Sequence, residues 1–231
     1  MKPMAIVATA AWTASVSAQS LVVNGGFEQS IYQGDCCTSC GTAIQIPGWN
    51  ASNVDHLVLN ARAGTIPPEG LRYVDLNQCS PGSISQSIPT QVGQQYRLSF
   101  MMGSVYTGCY PGTHEAQVSF GTLSEVFQFA EGSGMSRFTF LVTASSASTN
   151  LEFRGLSIGC ESALVDDVSV ELVVCAGDAD SSGSIDGVDL AIVLQNWGAP
   201  SAKYPGADIN ADGEVNGSDL AIVLAGWGAC P

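Results

Sequence analysis

Two similar segments near the end of the sequence leave little freedom in how that part of the chain folds. Asp178–Gly198 reads DADSSGSIDGVDLAIVLQNWG and Asp208–Gly228 reads DINADGEVNGSDLAIVLAGWG, with eleven of 21 aligned positions identical at an offset of 30 residues. Each copy opens with a twelve-residue loop that carries oxygen-bearing side chains at alternate positions and glycine at the sixth. In the second copy, positions 1, 3, 5 and 12 are Asp208, Asn210, Asp212 and Asp219, with Gly213 at the turn. Glu214 at position 7 would offer its backbone carbonyl, and Asn216 at position 9 would act through a water. The first copy has Asp178, Asp180, Ser182, Ser184, Asp186 and Asp189 at the same places, with Gly183 at the turn. Calcium takes six to eight oxygens, and alternate loop residues converge on one point only where the chain reverses sharply. The pattern therefore reads as two Ca2+ loops. Ser182 is a poorer donor than a carboxylate, so the first site is expected to be the weaker one.

A short helix is expected after each loop. Leu190, Val193, Leu194 and Trp197 fall at i, i+3, i+4 and i+7, as do Leu220, Val223, Leu224 and Trp227, and both sets form one-sided apolar stripes. Trp197 and Trp227 are expected to pack between the two helices rather than face a ligand. Tyr204-Pro205-Gly206 interrupts any full helix before the second loop. Each unit is thus a loop plus its exiting helix, half of an EF-hand. This arrangement over residues 177–228, with Asp at position 12 and a helix ending in Trp-Gly, resembles a type I dockerin. The resemblance implies a calcium-folded module that plugs a secreted protein into a cohesin domain, usually in assemblies that degrade plant polysaccharide. In cellulosomal members loop positions 10 and 11 are commonly hydroxyl residues that contact cohesin. Here they are Gly187-Val188 and Gly217-Ser218, a departure that bears on which cohesin the module would take. Two antiparallel half-hands bring their ends together, which predicts a Cys175–Cys230 disulfide. On the chain-entropy argument, closing that loop is worth about 4 kcal/mol.

Charge agrees with this reading. The chain has 21 acidic against 7 basic side chains and a net charge of -14. Nucleic acids and anionic lipids need clusters of Lys and Arg that are missing from it. Residues 175–231 hold eight of the acids against Lys203 alone. At the other end, Lys2, the apolar run Met4–Ala14 and Val16-Ser17-Ala18 read as a signal peptide over 1–18, cleaved before Gln19. That run is too short to span a bilayer. Export would make disulfides the default for all eight cysteines. Besides Cys175 and Cys230 these are Cys36, Cys37, Cys40, Cys79, Cys109 and Cys160. Six front cysteines leave their pairing open, and Cys37-x-x-Cys40 lacks the second half that a zinc site requires.

Residues 19–174 carry short alternating runs rather than helical stripes: Tyr96, Leu98, Phe100; Val118, Phe120; Phe138, Phe140, Val142; Leu151, Phe153; and Val168, Val170, Leu172, Val174. About ten such strands between Gly, Pro and Ser turns predict two packed antiparallel sheets. The phrases Leu21-Val22-Val23-Asn24-Gly25-Gly26-Phe27-Glu28, Pro47-Gly48-Trp49, Val74-Asp75-Leu76, Pro81–Ile88, Gln95–Phe100 and Leu164–Val170 follow in order. This order resembles the choice-of-anchor C family, akin to the plant cell-wall family called domain of unknown function 642. The resemblance implies a galactose-binding-like jelly roll that binds polysaccharide. In related carbohydrate-binding jelly rolls a structural calcium is held by residues matching Glu28 and Asp166. Asp166 also shares the apparent inward parity of Val168, Val170 and Leu172, and an inward carboxylate must be paired or bound to metal. The competing reading has Asp166 capping the strand start within reach of solvent.

Catalysis has little to stand on. No carboxylate pair is marked for glycosidase chemistry, and His56 and His114 come without a nucleophile signature. For stacking on sugars the aromatic candidates are Tyr106, Tyr110 and Trp49, the last more readily read as core. The sequence therefore predicts a mainly β protein. A jelly-roll β-sandwich over 19–174 would precede a small all-α duplicated half-EF-hand over 175–231. The expected role is secreted, non-catalytic and carbohydrate-binding, with calcium as cofactor and a cohesin-like partner. A small dockerin-bearing glycoside hydrolase and a structural surface or matrix protein are the alternatives.

Overall fold

A computed structural model describes residues 19–29, 44–58, 67–105, 112–158, 163–173, 175–180, 182–200 and 206–230. The leader predicted for 1–18, Tyr106, Tyr110, Val174 and Cys36, Cys37, Cys40, Cys109 and Cys160 lie outside the described residues. Cys79 is disulfide-bonded.

Among the described residues, ten strands build the front domain from β1 (Asn50–Ser52), β2 (Asp55–Val58), β3 (Arg72–Asp75), β4 (Ser83–Pro89) and β5 (Gln95–Ser104) onward. The remaining five are β6 (Thr113–Phe120), β7 (Leu123–Ala130), β8 (Gly134–Thr143), β9 (Ser148–Gly155) and β10 (Leu164–Leu172). They form two five-stranded sheets, ordered β1-β4-β9-β6-β7 and β2-β3-β10-β5-β8. From β4 to β10 the chain crosses between the sheets at nearly every connection, and all pairings are antiparallel. This is a jelly-roll sandwich. The period of two explains it: Tyr96, Leu98, Phe100 and Met102 on β5 are buried, while Arg97 is exposed and Ser99 and Met101 are half-buried.

Phe100 is the hub of the core. Its ring meets Phe153 at 5.1 Å and 83°, and Phe127 at 5.9 Å and 89°. Phe127, Phe138 and Phe140 lie on β7 and β8, the last strands of the two sheets, and their half-buried rings close that side of the sandwich. Edge-to-face pairs of this kind add about 0.5–1.5 kcal/mol each beyond the burial itself.

The C-terminal module contains β11 (Ser184–Ile185), α1 (Gly187–Gln195), α2 (Gly217–Ala225) and β12 (Gly228–Ala229). Val193 and Val223 meet in a small core with Ile185, Ala207 and Val215. The tryptophans are not in it. Trp197 and Trp227 are each 51% exposed, and Leu194 and Leu224 are exposed beside them, which corrects the expectation of inter-helix packing. The reason is helical phase. Asp189 and Asp219 must point inward to reach their loops, so Val193 and Val223, four residues on, follow them into the core. Leu194 and Leu224 then sit about 100° further round each helix, on the outer face. Among the described residues, no helix is long and apolar enough to cross a membrane.

Candidate metal centres and docking face

The two loops repeat the same hydrogen bonds. In the first, Asp178 accepts from the amides of Ser182 (2.9 Å) and Gly183 (2.8 Å). In the second, Asp208 accepts from Asp212 (3.1 Å) and Gly213 (3.0 Å). Gly183 and Gly213 adopt φ of +87° and +103°, a region that L side chains rarely enter, and this lets the chain fold back over the carboxylate.

The position-12 aspartates are wholly buried. Asp189 Oδ1 accepts from Ala179 (2.7 Å) and Asp180 (3.2 Å), and Oδ2 from Asp186 (2.8 Å). Asp219 makes the same three bonds with Ile209 (2.8 Å), Asn210 (3.2 Å) and Asn216 (2.8 Å). Each ties the start of its loop to the start of its helix. Asp186 and Asn216 are the helix N-caps and form capping boxes with Asp189 and Asp219. The sequence carries this signal as Asp-x-x-Asp and Asn-x-x-Asp, so position 9 caps the helix in addition to the water-mediated metal contact that its spacing suggests.

Oxygen atoms of Asp178, Asp180 and Asp189 come within 4.8 Å of one another. Hydrogen bonding from Ser182 holds Asp180 below the ordinary carboxylate range, against weaker opposition from burial. The Asn210 amide does the same for Asp212, to which it donates at 2.8 Å. Ser182 Oγ donates to the Ser184 carbonyl at 3.1 Å. These donors are hard oxygens with excess negative charge, and three of the carboxylates, those of Asp189, Asp208 and Asp219, are buried. Lys203 is the single basic residue from 175 to 231. The donor set suits calcium.

A second acidic cluster lies in the front domain. Asp166 is 0% exposed, which removes the solvent-capped alternative. Its presumed parity is corrected by the register. Asp166 pairs with Met101 but Ser169 pairs with Ser99, so β10 carries one extra residue, and Asp167 takes φ +48° in the bulge. Val165 and Val168 both face the core, and Asp166 does not share their face. It is buried instead by the turn before β3: Asp166 accepts from the amides of Glu69 (3.0 Å) and Asp167 (2.7 Å). Glu28 holds the same turn from the other end, accepting from Leu71 and Arg72 at 2.7 Å each. The structure thus places Glu28 and Asp166 around one turn and adds Glu69 between them, a residue that no pattern in the sequence marks. Burial above all drives the Asp166 carboxyl up to about 7, against its two amide bonds. Burial, then the charges of Glu28 and Asp167, also raise Glu69. Asp167 itself pairs with Arg137. Gly26 and Gly70 make room for this arrangement, since a Cβ on the first would run into the Glu69 carboxylate and on the second into that of Glu28.

Trp49 is 8% exposed, packs on Phe27 and Phe153, and donates to the Asn24 carbonyl at 3.1 Å. It presents no stacking face. The outer face of the first sheet is largely polar, with Ser85, Glu152, Ser119 and Ser124 in one cross-strand row and Ser83, Arg154 and Gln117 in the next, which ends on the exposed Val126.

Comparison with known proteins defines both parts. Residues 20–171 match the family described as Protein of unknown function (DUF642), and the chain belongs to that family. Residues 176–225 match the Dockerin type I domain, and this chain carries such a domain behind its β-sandwich. Among curated proteins no relative matches. Similar solved structures include TmCBM61 in complex with beta-1,4-galactotriose, at 14% identity and TM-score 0.46, covering 67% of this chain and 99% of that one. The CBM22-1 xylan-binding domain from Paenibacillus barcinonensis Xyn10C aligns at 12% identity and TM-score 0.42, over 64% and 92%. A family 35 carbohydrate binding module from Clostridium thermocellum aligns at 12% and 0.38, over 53% and 90%.

Proposed function

We propose that the protein is an exported, non-catalytic accessory protein with two working parts. The front domain, 19–174, contacts polysaccharide, and the calcium-folded dockerin, 175–231, attaches it to a cohesin-like domain. One observation carries the docking half: Leu194 and Trp197 on one unit and Leu224 and Trp227 on the other stand exposed in duplicate. Large exposed aromatics are what a partner surface uses as anchors. Calcium supplies the positive charge that lets Asp189 and Asp219 stay buried and so fixes the phase of both helices. Asp178, Asp180, Ser182, Asp189 and the Ser184 carbonyl would hold one ion. Asp208, Asn210, Asp212, Asp219 and the Glu214 carbonyl would hold the other. Glu28, Glu69 and Asp166 would hold a third in the front domain.

The polysaccharide half is supported by the polar rows on the first sheet, whose hydroxyls, amides and charges match what sugar hydroxyls pair with. Pull-down of the full chain on cellulose, xylan and pectin, with calcium and with chelator, tests it. Retention on none of the three would leave the docking half alone. Turnover of a polysaccharide, lost on changing one acidic residue, would replace the binding reading with a hydrolase.

A further inference from the structure

The repeat is nearly symmetric in sequence, yet its two loops are braced differently. In the second loop Val215 exchanges hydrogen bonds with the segment after α1: Gly198 donates to Val215 at 2.8 Å, and Val215 donates to Ala199 at 3.1 Å. In the first loop the equivalent partner is the segment after α2, where Ser184 pairs with Ala229 and Ile185 with Gly228. Only this second pairing is fastened covalently. Cys230 is bonded to Cys175 across a Cα separation of 5.6 Å. Both half-cystines touch the first loop. The Cys175 carbonyl accepts from the Asp178 amide at 3.1 Å, and the Cys230 amide donates to the Gly183 carbonyl at 3.2 Å. Cys230 Sγ lies 3.7 Å from Asp178 Oδ2, the oxygen that also receives the Gly183 amide. The disulfide therefore grips positions 1 and 6 of the first loop and, through β12, the Ser184 backbone at position 7. No hydrogen bond of either half-cystine reaches 208–219 among the described residues; the second loop shares with them only the small apolar core that includes Val215. The loop so braced is the one whose fifth position is Ser182 rather than an aspartate.

We propose that the Cys175–Cys230 disulfide controls calcium at the first loop and leaves the second largely untouched, making one of two sister sites sensitive to thiols. The inference rests on the calcium reading of the loops. Opening the bond with dithiothreitol gives two cysteine thiols and the cyclic disulfide of the reductant. The segment 228–230 is then free to leave β11, and the turn at Gly183 loses the brace that holds Asp178 and the Ser184 carbonyl in ligating positions. The coupling runs both ways: an ion in the first loop must protect the disulfide by the factor by which the disulfide favours the ion.

The test is a calcium titration of the full chain, following the Gly183 and Gly213 amide resonances separately, in the wild type and in Cys175→Ser/Cys230→Ser. The expected result is a Gly183 midpoint shifted by at least about fivefold, the low end of ordinary site-to-site coupling, with Gly213 unmoved. Equal shifts of both, or of neither, overturn the proposal. Amides that ignore calcium in the oxidised wild type overturn the calcium reading itself, and this inference with it. Because the variant could fail to fold, a second measurement starts from the oxidised protein. Alkylation of Cys175 and Cys230 under dithiothreitol is timed with calcium and with chelator. Calcium should slow it in the wild type and in Asp208→Ala but not in Asp178→Ala. Equal protection in the two variants, or none in the wild type, refutes the coupling.

Discussion

Asp166 offers a test in which removing metal inverts the response of the front domain to pH. Its carboxyl is raised from 3.8 to about 7, chiefly by burial. Between those values the folded protein without metal keeps a proton that the unfolded chain has released. Stability is then greatest below the unfolded pKa and falls as pH rises toward the folded one. A shift of about three units sets a ceiling of about 4 kcal/mol on the loss between pH 4 and pH 8. A calcium ion favours the carboxylate instead, so the same interval should cost little when the ion is bound. Urea unfolding in chelator and in calcium, read by Trp49 emission, would measure this. Trp49 is buried between Phe27 and Phe153, and a Trp197→Phe/Trp227→Phe background removes the module's exposed indoles. Asp166→Asn isolates its contribution, because it should flatten the pH slope in chelator to the part left by Glu69 and destabilise the domain in calcium. An identical slope in wild type and Asp166→Asn under chelator would refute the argument.

Other outcomes follow from the same geometry. Gly25→Ala forces a Cβ to within 1.9 Å of the Val168 carbonyl, and thermal melting should show a loss of more than about 2 kcal/mol, the tail reserved for severe mutations. Phe100→Ala empties the centre of the aromatic cluster and should cost about 3–5 kcal/mol in urea unfolding. Trp197→Ala and Trp227→Ala should each leave module stability within about 1 kcal/mol, since both indoles are half exposed. The double variant should lose cohesin-like binding by calorimetry more severely than either single one. Ser182→Asp adds a carboxylate at position 5 and should tighten the first site toward the second in a calcium titration.

Local chemistry was legible without coordinates. The shape of the loops could be read because alternate oxygen-bearing residues and one glycine at the turn fold the chain back over its first aspartate. The sandwich could be read because alternation on β5, β6, β9 and β10 follows directly from the strand period. The Cys175–Cys230 bond was foreseeable because antiparallel half-hands bring residues flanking the repeat together.

What escaped the sequence depended on partners distant along the chain. The stripe Leu190, Val193, Leu194, Trp197 is one face by spacing, but the buried reach of Asp189 into its loop decided which part of it turns inward. The parity of Asp166 failed because a single bulge residue, Asp167, shifts everything before it to the other face. Glu69 joined Glu28 and Asp166 only because the turn before β3 folds between them. Spacing along the chain thus determined which residues could ligate, alternate and cross-link. Burial, register and packing phase depend on what lies across the fold, and tertiary structure alone decided which carboxylates are desolvated and which tryptophans face out.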